Sequence, residues 1–331
     1  QALDSLLMSD DGVVLLGEDI KDPYGGAFKV TKGLSTKYPN KVISMPISEA
    51  GITGLSIGLA LNGLKPILEI MFGDFLTLCA DQIINGASKF RWMYGDNIKL
   101  PVVIRTPMGG YRGYGPTHSQ TLESIFFGTP NIKIIAPSIF HHPGELLSHI
   151  VEESNCLTLF IENKSLYPDY LKLPGVDSKI DNFHVRQLGD QNNYPVLSLC
   201  IEDPNAADVV LICYGGISLT AAKCALNVYL EDEIIVNVLI LSLIKPLIID
   251  DIIDVVKNTK KVIILEESVK EGGFGSELSA RLYEIVFDEL TKPIVSIGAR
   301  SCPIPNAKHL ENLILPNEYQ IETSLREITN G

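Results

Sequence analysis

The sequence predicts an α/β fold of two successive three-layer domains, the first built on a parallel sheet, and three observations lead there. Short apolar runs alternate with longer stretches of helical periodicity. The runs are apolar at consecutive positions rather than at every second one. The alternation lapses near residue 172 and restarts near residue 208. Strands that are apolar throughout belong to parallel sheets covered by helices on both faces. With 331 residues, 46% hydrophobic and only 20% charged, the chain has enough apolar material for two cores, which excludes a largely disordered protein.

In chain order, "GVVLLGED" (12–19) is a strand ending in Gly and acids, and "KVISMP" (41–46) is a second, followed from Ser48 by a helix. "KPILEIMF" (65–72) reads as a strand, "LTLCADQIINGASKFRWMY" (76–94) as a helix, and "LPVVIRTPMGG" (100–110) as a strand stopped by two glycines. "IKIIAPS" (132–138), a helix through "HPGELLSHIVEESN" (142–155) and "LTLFIEN" (157–163) complete a first domain expected over residues 1–185. The polar, Pro- and Asn-containing stretch 186–206 is expected to be a linker with room for a hairpin. Alternation then resumes with "DVVLICYGG" (208–216), a helix over 218–233, "IIVNVLILS" (234–242), a helix over 247–261, "VIILEES" (262–268), a helix over 275–290 and "PIVSIGA" (293–299). This is a second, smaller α/β domain, expected over 207–331.

A net charge of −13 and a pI near 4.9 argue against a broad nucleic-acid surface, which needs a basic footprint. Six cysteines are scattered without a CxxC pair, so reduced, buried thiols are expected rather than a disulfide framework or metal cluster. The longest apolar stretch, 51–73, is broken by Asn62, Lys65, Pro66 and Glu69 and makes a poor membrane span. No basic and apolar leader opens the chain. The expectation is a soluble, non-secreted protein without membrane insertion, in a bacterial cytoplasm or an organelle matrix.

In open parallel sheets ligands gather beyond the carboxyl ends of the strands. Three features fall at such places: Glu49 after "VISMP", the "GDF" of 73–75, and the loop "GGYRGYGPTHSQ" of 109–120. With Ser48 as cap, Glu49 is either a plain acidic first-turn residue favoured by the helix dipole or the tip of an interface site. Gly51, Gly54 and Gly58 recur at helical spacing and give that helix a flat face for close packing. His118 is either a hydrogen-bonded structural residue or an imidazole projecting from a mobile loop, with "HSQTLE" beginning a helix. Arg112 reads equally as an anion ligand or a solvated loop charge. "CYGGIS" (213–218) and "EGGFGSE" (271–277) look like phosphate-binding turns but lack the full spacing, so tight strand-to-helix turns are expected. His141 and His142 point different ways and predict no joint metal site.

Taken together, "LLGEDI", "GGAFKVTKGL", "PISEAGITGLSIGLALNGLKPILEI", "DQIINGASK", "THSQTLESIF", "IKIIAPS" and "EGGFGSEL" resemble the β subunit of the thiamine-diphosphate-dependent first component of 2-oxo acid dehydrogenase complexes, the pyruvate, branched-chain and acetoin enzymes among them. The resemblance covers nearly the whole chain. It implies a pyrimidine-binding domain followed by a transketolase C-terminal domain. It also implies that Glu49 hydrogen-bonds N1′ of the cofactor's aminopyrimidine, for which it must be protonated or share a proton. Phe75 matches the aromatic position that stacks on that ring, and Met71 and Ile47 match residues lining its pocket; plain core packing is the alternative for all three. His118 matches the histidine that assists reductive acyl transfer to a lipoyl group.

Thiamine enzymes hold the diphosphate through Mg²⁺ on a "GDG" followed further on by Asn, with oxygen ligands. That element is missing here, since "YGDNIKL" lacks the second Gly. The resemblance therefore implies an α subunit or fused α portion that supplies the diphosphate and Mg²⁺ site, an α2β2 assembly with a second β copy, and a lipoyl acyltransferase partner. The family often carries K⁺ on backbone carbonyls, and the matching positions are Val102, Ile150, Val151, Glu153 and Asn155; an ordinary helix C-terminus satisfied by water is the alternative. Another transketolase-like or acetoin-cleaving subunit, or a non-catalytic assembly subunit, remains open beside the leading reading. The unusual 186–206 stretch and the Arg- and Tyr-rich loop before His118 leave the 2-oxo acid unassigned.

Overall fold

The computed structural model describes residues 1–174, 178–189 and 194–330. The chain divides into two compact units. The first takes Gln1–Met108, Ile125–Ile135 and Pro143–Glu162, and the second Gly109–Ser124, Ala136–His142 and Asn163–Gly331.

The first unit carries α1 (Ala2–Ser9), β1 (Val13–Gly17), α2 (Leu34–Lys37), β2 (Val42–Ser44), α3 (Glu49–Leu61), β3 (Lys65–Glu69), α4 (Leu76–Asp81), α5 (Ser88–Met93), β4 (Val103–Met108), β5 (Lys133–Ile135), α6 (Pro143–Glu153) and β6 (Thr158–Asn163). Its strands run in the order β5-β6-β4-β3-β1-β2, with the registered pairs parallel. Every residue of β1 and β4 is buried, which is what continuous apolar strands require when helices cover both faces. The helix expected over 76–94 is α4 and α5 joined through a π-helical turn at Gln82–Ala87. Arg105, on β4 and only 2% exposed, is held between Glu69 at 2.9 Å and Glu162 at 2.5 Å. A guanidinium at that depth is tolerated because both forks of the group are paired.

The second unit carries β7 (Lys179–Ile180), β8 (Phe183–Leu188), β9 (Val196–Cys200), β10 (Val209–Tyr214), α7 (Ser218–Asp232), β11 (Val236–Leu241), β12 (Leu243–Lys245), α8 (Asp250–Thr259), β13 (Val262–Val269), α9 (Phe274–Val286), β14 (Val295–Ala299), α10 (Lys308–Ile314) and α11 (Glu318–Asn330). Its sheet runs β14-β13-β10-β11-β9-β8-β7. The pairs β14–β13, β13–β10 and β10–β11 are parallel, and β11–β9, β9–β8 and β8–β7 are antiparallel. Within 186–206, where the sequence leaves room for a hairpin, the end of β8 and all of β9 pair antiparallel, and β9 is fully buried and also pairs with β11; residues 190–193 lie outside the described ones. The compact units do not follow the expected bounds, since residues 109–124 fall in the second.

Among the described residues no helix is long and apolar enough to cross a membrane. Five of the six cysteines are buried free thiols and Cys302 is an exposed one.

Candidate active site

In the first unit the carboxyl ends of β1, β2 and β3 converge on the mouth of α3. The Met45 amide donates to the Gly17 carbonyl at 2.9 Å, which brings the "MPIS" segment across the end of β1. Glu49 is the first residue of α3 and only 8% exposed. Ser48 stands at the cap position, but its side chain makes no capping bond, and the Glu18 carboxylate lies near enough for the Ser48 amide to offset part of the upward push on it. Glu18 follows β1, is buried, and keeps Oε1 without a hydrogen-bond partner. Burial first, and the neighbouring Glu49 charge second, push the Glu18 carboxyl above its ordinary range. Two buried acids therefore share one strand-end pocket. Glu18 is not among the site residues expected from the sequence; its only signal there is an acid closing the wholly apolar strand of "LLGEDI".

Cys79 ties this pocket together from below, its thiol lying 3.7 Å from both the Glu49 and the Phe75 carbonyls. Phe75 closes the short 3₁₀ turn Gly73–Phe75 and meets the Phe72 ring edge-on at 6.0 Å. The turn needs glycine at its start, because a Cβ on Gly73 would sit 2.0 Å from Met108 Cγ. Met71 is half-buried just past β3. Glu49, Met71 and Phe75 thus gather at one group of strand ends, whereas Ile47 is 79% exposed and closes nothing within this chain. The small-residue face of α3 behaves similarly: Gly54 faces Gln82 and Gly51 faces only its own cap residue Ser48, while Gly58 faces nothing within 4 Å and Gly51, Leu55, Gly58 and Leu61 are exposed. The close packing expected of that face is therefore not made inside the unit.

An aminopyrimidine fits what is present. A buried carboxylate at a helix mouth, an orphaned acid oxygen beside it and an adjacent aromatic ring form one side of a site for a flat, proton-exchanging heterocycle. Among the described residues no group of three His, Cys, Asp or Glu side chains is placed to hold a metal ion. The carbonyl positions considered for K⁺ lie where α6 ends and β4 begins. Asn155 O accepts the Leu100 amide at 3.0 Å, Val102 O the Thr158 amide at 2.8 Å, and Ile150 O the Ser154 amide at 3.0 Å. Each carbonyl still has a second lone pair.

His118 belongs to the second unit and is partly exposed at the end of the loop that starts at Gly109. The loop is strongly bent, with Gly109, Tyr111, Gly113 and Gly115 all at positive φ. At Gly109 a Cβ would meet Asn163 Nδ2 at 2.6 Å and Glu267 Oε1 at 2.8 Å, so glycine is required there. Buried acids receive its amides: Gly110 donates to Glu267 at 2.5 Å and Gly113 to Glu311 at 3.2 Å. The Tyr111 hydroxyl donates to the Pro316 carbonyl at 2.6 Å, Arg112 to the Lys164 carbonyl at 3.1 Å, and Lys164 Nζ to the His118 carbonyl at 2.6 Å. His118 Nδ1 lies 2.9 Å from the Thr117 hydroxyl. "HSQTLE" does not begin a helix; only a 3₁₀ turn forms, at Glu123–Phe126. The anchors hold residues 110–118 in a non-helical course. Burial pushes the Glu267 carboxyl upward, opposed by the Gly110 amide, Asn163 and the Lys164 charge.

The glycine turns are not open cradles. At the start of α9, where an anion is favoured, the Glu266 carboxylate already accepts the Phe274 and Gly275 amides at 2.8 Å each. Burial pushes that carboxyl up to about 7. In "CYGGIS", a Cβ on Gly216 would overlap Asn163. His141 is buried, accepts the Ser138 amide at Nδ1, contacts the Pro195 carbonyl through Nε2, and is pushed down to about 4 by burial. It is a neutral structural residue.

The family described as "Transketolase, pyrimidine binding domain" matches residues 1–169, and "Transketolase, C-terminal domain" matches 200–321. The pyruvate dehydrogenase E1 component subunit beta of Porphyra purpurea is 35% identical over 100% of this chain and 95% of its own. The protein of the same name from Rickettsia bellii is 31% identical over 99% and 95%. The acetoin:2,6-dichlorophenolindophenol oxidoreductase subunit beta of Cupriavidus necator is 30% identical over 100% and 96%. Among solved structures, a split gene transketolase, an inactive beta4 tetramer, superposes with a TM-score of 0.72 at 17% identity over 99% of this chain and 95% of its own, a likeness of fold.

Proposed function

We infer the function from one premise: this chain belongs to the transketolase-type family that contains the β subunits of pyruvate dehydrogenase E1 components. On that premise it is the β subunit of a thiamine-diphosphate-dependent 2-oxo acid dehydrogenase, which decarboxylates its substrate and passes the acyl group to the lipoyl group of an acyltransferase component. The observation that carries this reading is the pair of buried acids at the mouth of α3, with Phe75 and Met71 beside them.

The bound cofactor supplies the electron sink for decarboxylation. The chain's own residues supply position and protons. Glu49 would hydrogen-bond N1′ of the aminopyrimidine, with Glu18 beside it, whose carboxyl is pushed upward by burial first and by the Glu49 charge second. Phe75 would stack on the ring, and Met71 and Ile47 would line its pocket. His118 exchanges a proton with the lipoyl sulfur as the disulfide opens. An α subunit or α portion completes the site and brings the Mg²⁺ and diphosphate ligands. The exposed Ile47, Leu55 and Leu61, with the exposed glycines Gly51 and Gly58 between them, offer that partner a flat apolar surface in an α2β2 assembly. The carbonyls of Val102, Ile150, Val151, Glu153 and Asn155 are the K⁺ candidates.

A second reading, an acetoin-cleaving subunit, draws support from the Cupriavidus relative at nearly the same identity. Assembly with the α partner, followed by turnover on pyruvate, branched-chain 2-oxo acids and acetoin, separates the two. The leading reading expects lipoyl acylation from a 2-oxo acid and silence without the α partner. Turnover of acetoin alone would replace it, and a folded α/β assembly inert toward all three would sink both.

A further inference from the structure

Lys164 is 0% exposed, and a buried ammonium is costly unless its hydrogens and charge are answered. Its backbone is fixed locally: Asn163 Oδ1 accepts the Ser165 amide at 3.0 Å and the Ser165 hydroxyl at 2.6 Å, while Asn163 Nδ2 donates to Glu267 at 2.7 Å. From there the ammonium donates to the His118 carbonyl at 2.6 Å, and Arg112, from the same loop, donates back to the Lys164 carbonyl. The Lys164 ammonium also lies 5.8 Å from the centre of the Tyr114 ring. Glu267, on the far side of Asn163, takes the amide of Gly110. The loop is therefore gripped near its start by a buried anion and at His118 by a buried cation.

We propose that Lys164 is a positioning residue that sets where the His118 side chain stands by holding its carbonyl. The ammonium makes a charge-assisted bond to the peptide of the one imidazole to which acyl transfer is assigned. A residue needed only for packing would not require the charge, since a methionine fills the same length. The alternative role is to balance Glu267 electrostatically, and the two roles separate by experiment. The inference rests on His118 serving lipoyl acylation, as proposed above.

The test uses the full chain assembled with its α partner and reads two quantities: amide hydrogen exchange across 109–120, and lipoyl acylation relative to decarboxylation with an artificial acceptor. Lys164→Met is expected to speed exchange in that segment about tenfold, with β10 and β11 unchanged. It is also expected to lower acylation about tenfold more than the artificial-acceptor rate. Lys164→Arg, which keeps a charged donor, is expected to restore most of both. Should the single variant not assemble, the charge-balanced Lys164→Met/Glu267→Gln pair carries the test. Faster exchange in 109–120 of this pair than of Glu267→Gln alone supports positioning, and protection and acylation equal to those of Glu267→Gln alone overturn it in favour of charge balance. Unchanged exchange in Lys164→Met overturns it as well. If His118→Ala leaves acylation intact while Lys164→Met loosens the loop, the catalytic role of His118 falls and the holding contact stands.

Discussion

The Glu49 pocket and the His118 loop solve the same problem, placing one reactive group, in opposite ways. The loop is finished within its own unit: Glu267, Glu311 and the Pro316 carbonyl each accept a bond from residues 110–118, and Lys164 donates one to the His118 carbonyl. The pocket is half-built, with Glu18 Oε1 unpartnered, Ile47 turned out and the small-residue face of α3 exposed. A self-contained frame places a group that needs no outside partner. An open one is where the proposed α partner would complete the site.

The sharpest way to break this comparison is at Glu49. Glu49→Gln in the α/β assembly should lower decarboxylation by on the order of 10³-fold with assembly intact, because a positioned acid is lost without a change of volume; near-normal turnover would remove Glu49 from the site. His118→Ala should act on one half-reaction, lowering lipoyl acylation by about 10²-fold while the rate with an artificial acceptor stays within a few-fold. Equal losses in both assays would contradict the division of labour.

Backbone substitutions probe the pocket's frame. Gly73→Ala forces a Cβ against Met108 and should cost about 1–3 kcal/mol in chemical denaturation, with a raised apparent KM for the cofactor. Unaltered stability and KM would mean that the "GDF" turn does not set the position of Phe75.

The smallest effect concerns pH. Burial raises Glu266 from 4.5 to about 7, so the folded state holds its proton more tightly than the unfolded state. The stability this contributes is full below pH 4.5 and is lost as pH rises toward 7. The thermal midpoint should fall by about a few degrees across that window. Glu266→Gln should flatten part of that slope while lowering the midpoint overall, since it gives up an acceptor for the α9 amides. A slope identical to wild type would assign the pH dependence to other acids.

How much of this was legible beforehand depended on how local the cause was. Strands such as β1, β4 and β10 announce themselves because every residue is apolar. The β8 strand does not: Phe183 and Val185 alternate with exposed His184 and Arg186 inside a polar, Pro-bearing stretch that looks like linker. The position of Glu49 was readable from "PISEA", but the failure of Ser48 to cap was not, nor that Glu18, thirty residues earlier on the chain, would lie beside it. Nor was the non-helical course after His118, since its anchors Lys164, Glu267 and Glu311 are far along the chain and their burial is a tertiary fact.

On the proposed function this chain holds one side of a cofactor site and an α partner holds the other. Calorimetric titration of thiamine diphosphate with Mg²⁺ into this chain alone, the α partner alone and their mixture tests it directly. The account predicts tight, saturable binding only in the mixture, weakened by Glu49→Gln. Equally tight Mg²⁺-dependent binding to this chain alone would contradict it.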